Sequence, residues 1–142
     1  MVPESNPGGN SGGTSGGNSG RLKDLRVLVA EDYYLTALGL KTLLQVEDAT
    51  VLGPTPTVDG GLDYVEGTTI DVALVDMDLR DEFANRLIEG LMARKIPFII
   101  VTGFQALPND YEPDAIAVFH KPIDTEKAEK LIALLQTIPR RG

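Results

Sequence analysis

The chain has 142 residues, of which 42% are hydrophobic and 24% charged, as is usual for a globular protein. Its formal net charge is −8 and its basic residues form no run longer than two, which argues against nucleic-acid binding. The chain has no cysteine, which excludes disulfides and thiol catalysis, and no apolar stretch near the roughly 18 residues of a membrane span, so we expect a cytoplasmic protein that does not bind membranes.

The first 20 residues differ in composition from the rest of the chain. They repeat the units GGNS, GGTS and GGNS and have almost no apolar side chains whose burial could offset the entropy of ordering. We therefore predict a disordered tail or linker over residues 1–20 and a single domain over residues 21–142.

Short apolar segments alternate with amphipathic segments after residue 21. Strands are predicted at residues 26–30, 49–53, 72–75, 97–101 and 116–119. Helices are predicted at residues 33–46, 58–66 and 83–94, with Tyr33 and Met92 on buried faces, and a last helix is capped by Asp124 and ended by Pro139. Gly60 and Gly61 make the second helix a weak one. This alternation predicts the α/β class, with a doubly wound, five-stranded parallel sheet.

Polar residues follow four of the predicted strands. These residues are Glu31 and Asp32, Asp76, Thr102, and His120 with Lys121. Because the carboxyl ends of parallel strands lie at one edge of the sheet, these side chains are expected to meet there. Clustered carboxylates are stable when a cation lies among them, and oxygen ligands favour a hard ion such as Mg²⁺.

The same residue types indicate phosphoryl chemistry. Thr102 and Lys121 offer a hydroxyl and a positive charge to phosphoryl oxygens. With no cysteine in the chain and no acid near His120 in sequence, a carboxylate is the candidate nucleophile, and Asp76 is the natural choice.

The motifs VLVAED, ALVDMDL, IIVTG and HKP, in this order, resemble the receiver domain of two-component response regulators, which has the flavodoxin-like fold. The resemblance implies that a histidine kinase or histidine phosphotransfer protein donates a phosphoryl group to Asp76. It implies that Asp32 and Asp76 bind Mg²⁺ directly, Asp78 through its backbone carbonyl and Glu31 through water. Thr102 and Lys121 would then bind the phosphoryl oxygens, and the Lys121–Pro122 bond would be cis. We expect a monomer.

The sequence departs from the receiver pattern at the aromatic switch residue. Receivers usually have an aromatic residue two or three positions before the lysine; here Phe119 and Val118 occupy those positions. By strand alternation, only one of them faces the usual switch side. The run Thr102-Gly-Phe resembles a subgroup in which the aromatic residue follows the threonine, so Phe104 and Phe119 are both switch candidates. Packing alone would explain Phe104 equally well.

Other interpretations remain open at this point. The Asp78 side chain either modulates hydrolysis of the aspartyl phosphate or is a solvated loop charge. Tyr33 and Tyr34 offer a contact for a donor protein, although one of them is expected in the core. A haloacid-dehalogenase-like phosphatase has a similar order of Asp-x-Asp, Thr and Lys, but on different strands. An unphosphorylated pseudo-receiver that acts as an interaction module is the third alternative.

Overall fold

The computed structural model describes residues 20–103 and 112–141. Within these ranges the strands are β1 (Arg26–Ala30), β2 (Thr50–Thr55), β3 (Val72–Val75), β4 (Phe98–Thr102) and β5 (Val118–His120). The helices are α1 (Tyr34–Val46), α2 (Val58–Gly67), α3 (Asn85–Ala93) and α4 (Thr125–Leu135), and a 3₁₀ turn covers Glu112–Asp114. Residues 1–19 of the predicted tail and Phe104 lie outside the described residues.

The sheet has five parallel strands in the order β2-β1-β3-β4-β5. This is the flavodoxin-like order, in which the chain reverses its direction of winding between β1 and β3. The predicted α/β, doubly wound fold is therefore confirmed. None of the helices in the described ranges is long and apolar enough to span a bilayer.

Two apolar layers cover the sheet because the strands are apolar on both faces. On one face, α2 and α3 pack on side chains such as Leu28 and Ala73. On the other face, α1 and α4 pack on Val29 and Leu74. Successive residues of one strand thus point into different layers, which explains why the strand sequences are continuously apolar rather than alternating.

Helix α2 forms despite its two adjacent glycines. The Thr57 side chain caps it by accepting a hydrogen bond from the Gly60 amide at 2.9 Å. A Cβ on Gly60 would collide with Thr55 Oγ1, and one on Gly61 would lie 2.9 Å from Leu87. The glycines lower helix propensity but permit α2 to lie close to β2 and α3, which the sequence pattern does not reveal.

Several predicted boundaries and burial assignments are wrong. Strand β2 continues to Thr55 through a cis Gly53–Pro54 bond and a shift in its register with β1. Helix α3 begins at Asn85, because Phe83 instead forms an antiparallel bridge with Asp78. The side chain of Met92 is 39% exposed, since the buried stripe of α3 is narrower than predicted.

Candidate functional site

The predicted site residues lie at the carboxyl edge of the sheet. The Asp76 amide donates to the Ala30 carbonyl at 2.9 Å, and the Glu31 amide donates to the Thr55 carbonyl at 2.9 Å. On the other side, the Lys121 amide donates to the Thr102 carbonyl at 2.9 Å. These backbone bonds extend the strand ladders by one residue each, and they bring the ends of β1, β3, β4 and β5 together as predicted.

The Lys121 ammonium lies between two carboxylates. Its Nζ donates to Asp76 Oδ2 at 2.7 Å and to Glu31 Oε2 at 2.9 Å, and lies 2.8 Å from Glu31 Oε1. Glu31 and Asp76 are only 2% and 5% exposed, so these contacts are shielded from water. The Lys121–Pro122 bond that precedes α4 is cis, as the receiver resemblance implies.

The two partners of this ion pair have shifted pKa values. Burial raises the pKa of Glu31 from 4.5 to about 7; Lys121 lowers it in part, and Asp76 raises it further. Burial alone would lower the pKa of Lys121, but its hydrogen bonds to Asp76 and Glu31 outweigh this and raise it. Lys121 is therefore positively charged at neutral pH. Its single positive charge cannot balance all of the neighbouring carboxylates, those of Glu31, Asp32 and Asp76.

Glu31, Asp32 and Asp76 each offer a carboxylate oxygen within 4.8 Å of the others. These donors are all oxygens, and Asp78, two residues after Asp76, lines the adjoining cleft. A set of hard ligands with excess negative charge fits Mg²⁺ rather than a transition metal, for which nitrogen or sulfur ligands would be expected. The residues present therefore suit the predicted ion.

The acids and the lysine open into a cleft with a volume of about 520 Å³. Its walls are formed by the first turn of α1 and by residues that follow or end β1, β3, β4 and β5, namely Asp32, Tyr33, Thr36, Asp76, Asp78, Thr102, Gly103, Lys121 and Pro122. Thr102 is fully buried at the end of β4, and within residues 20–103 and 112–141 a Cβ on Gly103 would meet no atom within 4 Å beyond its chain neighbours. The cleft thus leaves space beside Thr102 for a group of phosphate size.

The two switch candidates and His120 are placed differently. Phe119 is partly buried in the layer beneath α1 and α4, whereas Val118 packs into the opposite layer with α2 and α3. Phe104 lies outside the described residues. His120 is exposed, and its carbonyl accepts a hydrogen bond from Lys127 Nζ at 2.7 Å, a contact that the sequence analysis did not foresee.

Tyr33 and Tyr34 are 59% and 73% exposed, so the expectation that one of them belongs to the core is wrong. The reason is the position of the helix start. Tyr33 precedes α1, and its amide donates to Glu31 Oε2 at 3.0 Å, which turns both aromatic rings outward beside the cleft.

The phosphatase alternative predicts an acidic strand after the lysine. Residues 122–141, all of which the structure describes, contain α4 and no strand, and Asp76 follows the central strand β3 rather than the first one. The arrangement therefore favours the receiver interpretation.

Comparison with protein-family models and with curated proteins gives no match. Solved structures match over most of the chain. SdrG from Sphingomonas melonis Fr1 is 34% identical with a TM-score of 0.67, and the match covers 78% of this chain and 95% of that one. A CheY-like response regulator receiver domain protein from Methanospirillum hungatei JF-1 is 25% identical with a TM-score of 0.66, over 79% of this chain and 96% of that one.

A third similar structure contains a metal ion of its own. The receiver domain of the sensor histidine kinase PA1611 from Pseudomonas aeruginosa PAO1 has a magnesium ion coordinated in its active site cleft. It is 18% identical, with a TM-score of 0.66 and coverage of 79% of this chain and 97% of that one, and it shares the fold. The strand order, the motifs at the strand ends and these similarities together show that the chain belongs to the receiver domains of response regulators.

Proposed function

We propose that the chain is a phosphoacceptor in a two-component or phosphorelay pathway, with Asp76 as the residue that is phosphorylated. The observation that supports this most strongly is the position of Asp76. Its carboxylate is nearly buried, contacts the Lys121 ammonium at 2.7 Å, and still borders a cleft open to solvent. A nucleophile needs that combination of orientation and access.

The donor is a phosphohistidine of a histidine kinase or phosphotransfer protein. A carboxylate oxygen of Asp76 attacks the phosphorus, the P–N bond to the donor imidazole breaks, and the imidazole nitrogen leaves with the electron pair and takes up a proton. Hydrolysis reverses the modification: a water oxygen bonds to phosphorus, the P–O bond to Asp76 breaks, and inorganic phosphate is released.

Lys121, Thr102 and the residues that would hold Mg²⁺ assist the transfer. Lys121 moves from one carboxylate oxygen to balance the charge that grows on the phosphoryl oxygens, and the Thr102 hydroxyl donates to another of them. Asp32 and Asp76, the Asp78 carbonyl and, through water, Glu31 would hold Mg²⁺. When bound, Mg²⁺ neutralises the carboxylates and the phosphoryl group that must approach them.

The donor is expected to contact α1. Tyr33, Tyr34 and Leu35 are 59%, 73% and 65% exposed and lie at the start of this helix, next to the cleft. A partner that covers the cleft must contact this apolar surface, and apolar groups of this size supply binding energy when they are buried.

The test is the intact mass of the protein after incubation with acetyl phosphate and Mg²⁺. Wild type should gain one phosphoryl group and Asp76→Asn none, while the matched control Asp78→Asn, which keeps the backbone carbonyl, should still gain it. With a phosphohistidine protein as donor, Tyr34→Ala should slow transfer but leave the acetyl phosphate reaction unchanged. If wild type neither gains mass nor binds beryllofluoride, the pseudo-receiver alternative is favoured instead.

A further inference from the structure

The loop between β3 and α3, residues 76–84, contains both Asp76 and Asp78. Within it the Leu79 amide donates to the Glu82 carbonyl at 3.2 Å, the Ala84 amide to the Met77 carbonyl at 2.9 Å, and the Asp78 amide to Asp76 Oδ1 at 3.1 Å. Asp78 also bridges to Phe83 within the loop. These bonds set the shape of the loop but do not fix where it lies relative to the sheet.

Two bonds attach this loop to residues 56–58, which lead from the end of β2 into the first residue of α2. The Arg80 amide donates to the Pro56 carbonyl at 3.0 Å. Asp81 Oδ1 accepts a hydrogen bond from the Val58 amide at 2.9 Å. Only the bond to Asp81 involves a side chain, so only this bond can be removed by a side-chain substitution.

The bond to Asp81 satisfies an amide at the start of α2 that the Thr57 side chain does not reach. Thr57 already caps this helix through the Gly60 amide at 2.9 Å. Asp81 is exposed, yet its pKa is held below its usual value, mainly by the hydrogen bond from Val58. The carboxylate therefore makes a directed contact, unlike an ordinary solvated loop charge.

The last residue of β2, just before this segment, is bonded to the backbone of Glu31. The Glu31 amide donates to the Thr55 carbonyl at 2.9 Å, one residue before Pro56. Residues 55–58 thus contact the residue that follows β1, Glu31, and also contact the β3–α3 loop at Arg80 and Asp81. A shift of the loop away from this segment would change the separation between Asp78 and the carboxylates of Glu31 and Asp32.

We infer that Asp81 is a positioning residue, whose hydrogen bond to Val58 holds the β3–α3 loop where Asp76 and the Asp78 carbonyl meet the same Mg²⁺ ion. This inference rests on the proposed function, because it requires Mg²⁺ to bind at that loop. Residues that orient metal ligands typically change metal affinity by about 10- to 100-fold when they are removed.

The ion pairs that Arg86 forms on the surface near this bond constrain the loop less than Asp81 does. Arg86 contacts Glu82 at 2.5 Å and Asp59 at 2.9 Å, and it is half exposed. Exposed ion pairs are screened and lose much of their attraction to side-chain entropy, whereas the Asp81 bond is to a fixed backbone amide. Arg86 therefore holds the loop less firmly than Asp81 does.

The test is Mg²⁺ affinity measured by calorimetry for wild type, Asp81→Ala, Asp81→Asn and Asp63→Ala. Asp81→Ala removes the acceptor and should weaken binding roughly tenfold. Asp81→Asn removes the charge but keeps an oxygen for the Val58 amide, and should bind nearly as wild type does. Asp63 is an exposed acid of α2 and serves as the control for a lost charge.

Amide hydrogen exchange of the metal-free protein gives a second measurement. Asp81→Ala should speed exchange at Val58 and Arg80, while amides within β1 and β3 keep their protection. Equal weakening of Mg²⁺ binding in Asp81→Ala and Asp81→Asn would assign the effect to charge and overturn the inference, as would unchanged affinity in both. If wild type binds no Mg²⁺, or binds it equally well with Asp32→Ala, the proposed function fails first.

Discussion

Strand β3 has a buried aspartate just before its first residue and another just after its last. Asp71 is 1% exposed and accepts hydrogen bonds from the Arg26 amide at 2.8 Å and the Arg141 amide at 2.6 Å. Asp76 is 5% exposed and accepts from Lys121 Nζ at 2.7 Å and the Asp78 amide at 3.1 Å, with two more acids close by. The Asp71 carboxylate is thus held by backbone amides, whereas the Asp76 carboxylate faces the cleft.

The glutamates at the two edges of the sheet differ in the same way. At the amino edge, Glu47 contacts Arg21 at 2.9 Å, and this hydrogen bond lowers its pKa. At the carboxyl edge, burial raises the pKa of Glu31 to about 7. The charged glutamate is thus stabilised by Arg21 at the amino edge, whereas burial penalises it at the carboxyl edge, where an additional cation would stabilise it.

The largest effect should come from Lys121, which is the cation at the functional edge. Lys121→Ala should slow phosphorylation of Asp76 by acetyl phosphate by roughly 10²- to 10³-fold, because the phosphoryl oxygens lose a preorganised positive charge. The time course of the mass increase measures this. Lys130→Ala, an exposed lysine of α4 that pairs with Glu126, is the control and should react as wild type does. An equal rate in Lys121→Ala would remove the assigned role.

At the opposite edge, Asp71→Ala should affect stability instead of chemistry. Two amides lose their acceptor, which should lower the free energy of unfolding by about 2 to 4 kcal/mol. Urea unfolding followed by circular dichroism measures it, with Asp63→Ala as the matched surface control. A loss as small as that of the control would show that Asp71 is not the structural acid that its contacts indicate.

Residue type alone does not separate the two acids, because DVALVDMD places an aspartate at each end of the same apolar run. Chain direction does separate them in a parallel sheet, and on that basis Asp32, Asp76, Thr102 and Lys121 were correctly expected at one edge. The partners of Asp71 could not be predicted, because the Arg141 amide comes from 70 residues away. The contact between Asp81 and Val58 also joins residues that are distant in the sequence, so it could not be predicted either.

The fold was predictable wherever apolar patterning decides the structure. The fold was less predictable where local backbone geometry decides the structure. Strand β2 continues past Gly53, and α3 begins two residues later than predicted. Tyr33 points outward because its amide donates to Glu31. The expected positions of the strands nevertheless sufficed to bring the site residues together, since a parallel sheet fixes the ends of its strands more strictly than the ends of its helices.

A smaller effect is expected from Glu47→Gln and depends on pH. Since the folded-state pKa of Glu47 is lowered, its stabilisation is fully present above about pH 4.5 and is lost as the pH falls through the folded-state value. Wild type should exceed Glu47→Gln by roughly 1 kcal/mol at pH 7. Unfolding curves at pH 7 and pH 3.5 should show this difference shrinking at the lower pH; a constant difference would mean that the Arg21 contact does not stabilise the charged form.

The smallest expected effect is that of the Asp78 side chain. This exposed carboxylate borders the cleft, and we expect it to repel an attacking water with hydroxide character. Asp78→Asn should therefore shorten the lifetime of the aspartyl phosphate by roughly threefold, in line with the weak interactions of exposed charges. Decay of the phosphorylated mass over time measures it, and equal lifetimes would leave Asp78 as a solvated loop charge.

The contrast between the two ends of β3 is tested most directly by comparing Asp71→Asn with Asp76→Asn. Each protein is incubated with acetyl phosphate and Mg²⁺, and its intact mass and urea midpoint are measured. We predict that Asp71→Asn gains one phosphoryl group but has a lowered midpoint, whereas Asp76→Asn gains none and is not destabilised to the same extent. A phosphoryl group on Asp76→Asn, or its absence from a folded Asp71→Asn, would contradict the assignment of chemistry to the carboxyl edge and stability to the amino edge.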